Sequence, residues 1–96
     1  MYVRVVRFTD VTAERMQQLR GRGPVGLLDP PGVPATGLQV LFDESSGTAV
    51  VLQQFATEAD MLEGGRVFSA MDPSETPGTR ASVDECEVAV DVKVGD

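Results

Sequence analysis

The sequence predicts an α+β fold: one ferredoxin-like βαββαβ sandwich, whose antiparallel four-stranded sheet carries two helices on one face. Three observations predict it. Segments of alternating, strand-like sequence lie near both ends of the chain, at Tyr2–Phe8 and Val83–Val94. A pair of further strands, Leu38–Phe42 and Thr48–Phe55, stands between two helical stretches. The chain has 96 residues, the size of a single domain, so we expect residues 1–96 to form one unit.

The first strand, Tyr2–Phe8, is rich in β-branched residues and has apolar side chains on both faces, which favours a central place in the sheet. Thr9, Asp10 and Thr12 then offer oxygens that cap a helix N-terminus, and the helix is predicted to run to about Arg22. Its apolar residues recur every three positions and form a narrow stripe, made of Ala13, Met16 and Leu19.

The segment Gly23–Gly37 contains four prolines and has no clear period, so it is predicted to be an irregular connection. It is long for a compact domain. Two interpretations stay open: a functional lid, or a short helical turn around Val25–Leu28.

The central hairpin turns at Asp43–Gly47, and in its second strand Ala49, Val51, Gln53 and Phe55 share one face. One of the two neighbouring glutamines, Gln53 and Gln54, must therefore point inward or meet a partner subunit. A buried glutamine has to be hydrogen-bonded, either by the protein or by a ligand.

The second helix is predicted to begin after Thr57, an N-cap residue with Asp60 three positions on. The pair Gly64-Gly65 marks either a close-packing site or a break in this helix. Its apolar side chains fall on roughly one side: Met61, Leu62, Phe68 and Met71. Three of them, Met61, Phe68 and Met71, form a stripe that is either core or the lining of a pocket. Asp72-Pro73 ends the helix, and Ser74–Arg80 is predicted to be a polar loop.

The last strand, Val83–Val94, alternates most regularly. Cys86 and four valines share the face that we assign to the core, whereas Glu85 and Glu87 belong to the face directed toward water or a polar interface. On the valine face the thiol is expected to behave as a small hydrophobic group.

Composition limits the function classes. The net charge is −7 and the eight basic residues are scattered singly, which argues against nucleic acid and anionic membranes as partners. No apolar run approaches the roughly 20 residues that a membrane-spanning helix needs. A strand that begins at residue 2 leaves no room for a signal peptide, and a lone Cys86 fits a reducing compartment. We therefore expect a cytoplasmic protein.

The chain has no His, no Trp and no Asn, and its only lysine is Lys93. Without His, the Ser-His-Asp triad, His-ligated haem and most catalytic zinc sites are excluded. Acidic residues spaced along one strand converge poorly on one ion. We therefore expect no cofactor and no metal, and any catalysis has to use carboxylates, arginines, Tyr2, Cys86, hydroxyls or backbone groups.

Three stretches resemble the dimeric α/β-barrel superfamily, and within it the small domains similar to antibiotic-biosynthesis monooxygenases: YVRVVRF at 2–8, the hairpin with the following TEADM at 38–61, and RASVDECEVAVDV at 80–92. The resemblance implies a homodimer whose two sheets pack face to face, with a pocket on the sheet or between sheet and helices. It also implies cofactor-free oxygenation of phenolic or quinol substrates as one reaction. The His, Asn and Trp of haem-degrading relatives are missing here, so haem chemistry is not expected.

Two residues are candidate catalytic groups, Tyr2 as a hydrogen-bond donor and Glu87 as a general base. Six more are candidate ligand-binding residues: Arg4, Gln53, Phe55, Phe68, Arg80 and Glu85. Because the first and last strands are neighbours in the expected order, Arg4 or Arg7 is predicted to face Glu85 or Glu87. Phe55 stands where relatives often carry Trp, and Arg80 suits an anionic ligand at a pocket mouth. For each residue a purely structural role remains the alternative.

Three functions stay open. The first is binding of a small apolar or aromatic ligand, with cofactor-free monooxygenation as its possible chemistry. The second is a non-catalytic ligand-binding or protein-interaction module, supported by the missing catalytic side chains. The third is an isomerase or cyclase that needs only one carboxylate.

Overall fold

The computed structural model describes residues 1–21, 34–70 and 77–95. Its elements follow one another in the predicted order: β1 (Tyr2–Thr9), α1 (Ala13–Gly21), β2 (Ala35–Asp43), β3 (Thr48–Phe55), α2 (Glu58–Ser69) and β4 (Thr79–Glu87). The βαββαβ order confirms the predicted α+β class.

The four strands form one sheet in the order β2-β3-β1-β4, and each neighbouring pair is antiparallel. This order is compatible with a ferredoxin-like fold. The first strand, β1, lies in the interior of the sheet, as its two apolar faces predicted. It pairs with β3 on one side and with β4 on the other, so that Arg4 lies between Gln53 and Glu85.

Alternation along the strands separates a helix-side face from an open face. The helix-side face holds the buried strand residues: Arg4, Val6 and Phe8 of β1 with Ala49, Val51, Gln53 and Phe55 of β3. Met16 of α1 joins the same core cluster. The open face holds half-buried apolar residues, namely Val3, Val5, Val50 and Leu52. The core thus lies between the helices and one side of the sheet.

Both helices begin at threonine caps. The Thr12 hydroxyl accepts a hydrogen bond from the Arg15 amide at 3.0 Å, and the Thr57 hydroxyl accepts one from the Asp60 amide at 3.1 Å. Each bond satisfies an N–H group that has no partner inside the helix. The predicted cap at Thr57 is confirmed, and Thr12 is the capping residue among the three candidates before α1.

The Gly64-Gly65 pair is a close-packing site, because α2 continues through it to Ser69. A Cβ atom on Gly64 would lie 2.5 Å from Cε1 of Phe55, and one on Gly65 would lie 3.1 Å from Nε of Arg4. The two glycines therefore let α2 approach the sheet at the positions of two helix-side residues of β3 and β1.

Three strand boundaries differ from the prediction by more than one residue. Strand β2 begins at Ala35, inside the segment that we predicted to be irregular, and its register shifts between Ala35 and Gly37. Strand β4 begins at Thr79, within the predicted polar loop, and ends at Glu87. It ends there because β1 begins at Tyr2: after the bond from the Val88 amide to the Met1 carbonyl, β1 offers no further partner.

The valine face of the last strand is not part of the core. Val90, Val92 and Val94 follow the end of β4 and are 70–91% exposed. Cys86 is exposed and pairs with Val3 on the open face, whereas Glu85 lies on the helix-side face opposite Arg4. The predicted assignment of the two faces of the last strand was therefore wrong. Alternation shows which residues share a face, but the pairing with β1 decides which of the two faces lies on the side of the helices.

In the second helix, Met61 of the predicted stripe is buried, whereas Leu62, predicted on the same side, is 52% exposed. Several predictions lie outside the described residues: the end of the first helix at Arg22, the lid or turn near Val25–Leu28, the position of Met71 and the stop at Asp72-Pro73.

Candidate functional site

The helix-side face borders a cavity of about 360 Å³. Nine apolar side chains line it: Val6, Phe8, Met16, Leu19, Leu38, Val40, Phe42, Val51 and Phe68. Pro77 and four polar residues complete the described lining, namely Arg4, Arg20, Gln53 and Arg80. This volume is at the lower end of the range for small-molecule sites, and an apolar wall with a few polar groups is their usual character.

Arg4 is the most unusual residue of this cavity, because its side chain is charged and only 3% exposed. One terminal nitrogen, Nη1, donates to Oε1 of Gln53 at 3.0 Å, and the other, Nη2, donates to Oγ of Ser69 at 3.4 Å. Gln53, also 3% exposed, is thereby satisfied by the protein itself. Of the two neighbouring glutamines, Gln53 is therefore the one that points inward.

The charges around Arg4 are unevenly matched. Burial lowers the pKa of Arg4, nearby Arg80 lowers it further, and Glu85 acts in the opposite direction. The guanidinium remains protonated, since an arginine pKa stays far above neutral pH. Within the described part of the chain, no carboxylate oxygen lies within 4.0 Å of its nitrogens. The cross-strand pairing of Arg4 with Glu85 is confirmed, but the two side chains form no close ion pair.

A second, more open cavity is lined by residues of α2 and β4 and is also bordered by Arg4. Arg4 and Arg80 border it together with Gly65, Ser69 and Glu85. Two arginines are therefore shared by both cavities. Glu85 is exposed and belongs only to the second one.

Tyr2 and Glu87 form a pair at the end of the β1–β4 ladder. The Tyr2 hydroxyl donates to Oε2 of Glu87 at 3.3 Å, and the negative charge of Glu87 raises the pKa of Tyr2. The pair therefore holds the proton on Tyr2 and leaves Glu87 as the acceptor. Neither residue is among the described residues that line the first cavity, and the predicted catalytic roles of both stay predictions.

The structure brings four of the six predicted ligand-binding residues to the first cavity: Arg4, Gln53, Phe68 and Arg80. Phe55 is fully buried beneath Gly64 and is absent from the described lining. Glu85 borders the second cavity.

Sequence reasoning missed most of the apolar wall. Met16 and Leu19 carried a signal, because they are part of the helical stripe of α1, and Leu38, Val40 and Phe42 alternate along β2. Those patterns identify residues that face inward, but they do not tell a filled core from a cavity.

Within residues 1–21, 34–70 and 77–95, no group of three or more Cys, Asp or Glu side chains is placed to hold a metal ion. In the same ranges no helix is long and apolar enough to cross a bilayer.

Comparison with known proteins gives no family: no family model matches the chain, and no curated protein matches it.

Proposed function

We propose that this protein binds a small, mostly apolar or aromatic molecule in the cavity between its sheet and helices. One observation carries the proposal: the cavity of about 360 Å³ with nine apolar side chains in its wall. Burial of apolar ligand surface supplies the affinity, and the few polar groups orient the ligand.

A thermal-shift screen tests this proposal with phenols, quinols, flavins and haem. A ligand at about 100 times its Kd stabilises the folded state by about 2.7 kcal/mol. For a domain of this size, that energy raises the Tm by about 10 °C or more. A panel that leaves the Tm unchanged would contradict the proposal.

A pair of variants locates the binding site. Val40→Phe puts a larger ring into the cavity wall and should abolish the shift, because Val40 of β2 lines the cavity. Leu41→Phe is the matched control, since the next residue of the same strand is 51% exposed and points to the open face. An unchanged shift in Val40→Phe would show that the ligand binds elsewhere.

We further propose that the protein is a homodimer that packs its open sheet faces together. The support is the resemblance to dimeric barrels and the row of half-buried apolar residues on this face, among them Val5 and Leu52. Sedimentation of Leu52→Glu should give a monomer, whereas Leu62→Glu on the exposed side of α2 should not change the assembly. A monomeric wild-type protein at micromolar concentration would contradict the dimer.

Cofactor-free monooxygenation is the reaction that the resemblance suggests. Oxygen uptake, measured with a phenol or quinol that the screen selects, tests it directly. Since Glu87 is the acceptor of the Tyr2–Glu87 pair, Glu87→Gln should lower turnover more than Tyr2→Phe does. Unchanged turnover in both variants would remove these residues from the mechanism, and no uptake would leave a binding module without catalysis.

A further inference from the structure

We propose that the molecule bound in the first cavity is a carboxylate: an apolar or aromatic body whose anionic end is received by Arg4 and Arg80. This inference rests on the ligand-binding function proposed above and adds the chemical class of the ligand.

The positive charge of Arg4 is buried. A buried cation is costly unless an anion and hydrogen bonds compensate for its lost hydration. Both observed acceptors, Gln53 and Ser69, are neutral, and within the described residues no carboxylate lies within 4.0 Å. A carboxylate ligand would supply the missing countercharge where solvent is largely excluded.

The charge of the cavity wall is opposite in sign to the net charge of the chain. Three of the eight basic residues of the chain line it, namely Arg4, Arg20 and Arg80, and none of the described lining residues is acidic. The whole chain has a net charge of −7. A positive cavity in an acidic protein attracts an anion locally, whereas the net charge disfavours anions at the surface.

Two positive charges, those of Arg4 and Arg80, lie close to each other at the cavity. Arg80 is near enough to Arg4 to lower its pKa, and both side chains border the same two cavities. An anion between them would relieve this repulsion. It would do so better than a neutral ligand of the same shape, which leaves the repulsion between the two arginines in place.

Arg4 retains N–H donors for a ligand. Each of its two terminal nitrogens carries two N–H groups, and each donates to one protein acceptor. As far as the described residues are concerned, one N–H therefore remains on each nitrogen, which corresponds in number to the two oxygens of a planar carboxylate.

Isothermal titration with two probes of nearly equal shape tests the inference: 2-naphthoate, which is anionic, and 2-naphthamide, which is neutral. We expect the wild-type protein to bind naphthoate at least about tenfold more tightly, as a charge-assisted hydrogen bond allows. Equal affinities would overturn the carboxylate inference and leave the proposed ligand-binding function intact. Failure of both probes to bind would overturn both.

Variants assign the preference to residues. Arg80→Gln should reduce it severalfold, and the double variant Arg4→Met/Gln53→Leu, which removes the buried cation together with its buried acceptor, should abolish it. Lys93→Gln is the matched control, because it changes the net charge equally but lies exposed beyond the end of β4. A naphthoate preference that survives in the double variant, or that falls equally in Lys93→Gln, would overturn the assignment to Arg4.

Discussion

Replacement of Gly64 by alanine should destabilise the fold, although alanine is the better helix former. In an exposed helix this change gains about 1 kcal/mol. Here the added Cβ would lie 2.5 Å and 2.6 Å from two ring carbons of Phe55, which is 0% exposed. Because Phe55 is fully buried, either its ring or the helix has to shift inside the core.

The net effect follows from two opposing terms. Overpacking of a close-packed core costs typically 1–3 kcal/mol, and contacts this short belong at about 3 kcal/mol. Subtraction of the helix-propensity gain of about 1 kcal/mol leaves a loss of about 2 kcal/mol. For a domain of this length, the Tm should fall by about 10 °C.

Urea unfolding followed by circular dichroism measures this loss, with Gly21→Ala as the control. Gly21 ends α1, and among the described residues no atom outside its own helix lies within 4 Å of the position of an added Cβ, so its replacement should be neutral or stabilising. A Phe55→Leu background tests the cause, because the smaller side chain makes room and the double variant should lose less than the two single losses together. Additive losses, or a Gly64→Ala variant as stable as the control, would refute the packing argument.

Three other predictions concern single polar groups. Thr57→Ala should cost about 1 kcal/mol in chemical unfolding, because it removes the cap of α2; an unchanged midpoint would contradict the role of the cap. Glu87→Gln should bring the raised pKa of Tyr2 back toward 10.0, and phenolate absorbance reports this directly because the chain has one tyrosine and no tryptophan. The Ser45 hydroxyl lowers the pKa of Asp43, so Asp43 should stabilise the fold above its ordinary pKa of 3.8 and lose that contribution as the pH falls through the lower folded value. Unfolding from pH 7 downward should then show Asp43→Asn less stable than the wild type at neutral pH and equal to it in acid.

The elements of the fold were predictable because they depend on local signals. Each of these signals acts within a few residues, and the structure contains the element that each one predicted: the alternation in β1 and β3, the Thr57 cap and the turn before Gly47. The end of β4 was not predictable in the same way. Its alternating pattern continues to Val94, but a strand lasts only as long as its partner, and β1 begins at Tyr2.

The candidate site was predictable only in part. A glutamine inside an apolar strand indicated an inward polar group, and Gln53 is one. The placement of Glu85 beside Arg4 required the β1–β4 register. The cavity itself arises from the space that elements distant in sequence leave between them, and a pattern of inward-facing residues does not encode the size of that space.

The buried Arg4 should make the protein less stable than a variant with apolar side chains at the same positions. Arg4→Met alone should lose stability, because Oε1 of Gln53 would remain buried without its donor. Arg4→Met/Gln53→Leu removes both polar partners at once and should be at least as stable as the wild type, since apolar replacement of a buried polar pair is often neutral or stabilising. Urea unfolding of the three proteins decides between the two roles of the pair. If the double variant is much less stable than the wild type, the hydrogen-bonded pair serves the fold. If it is equally stable and has lost its preference for naphthoate, Arg4 is retained at a cost in stability for the sake of the ligand.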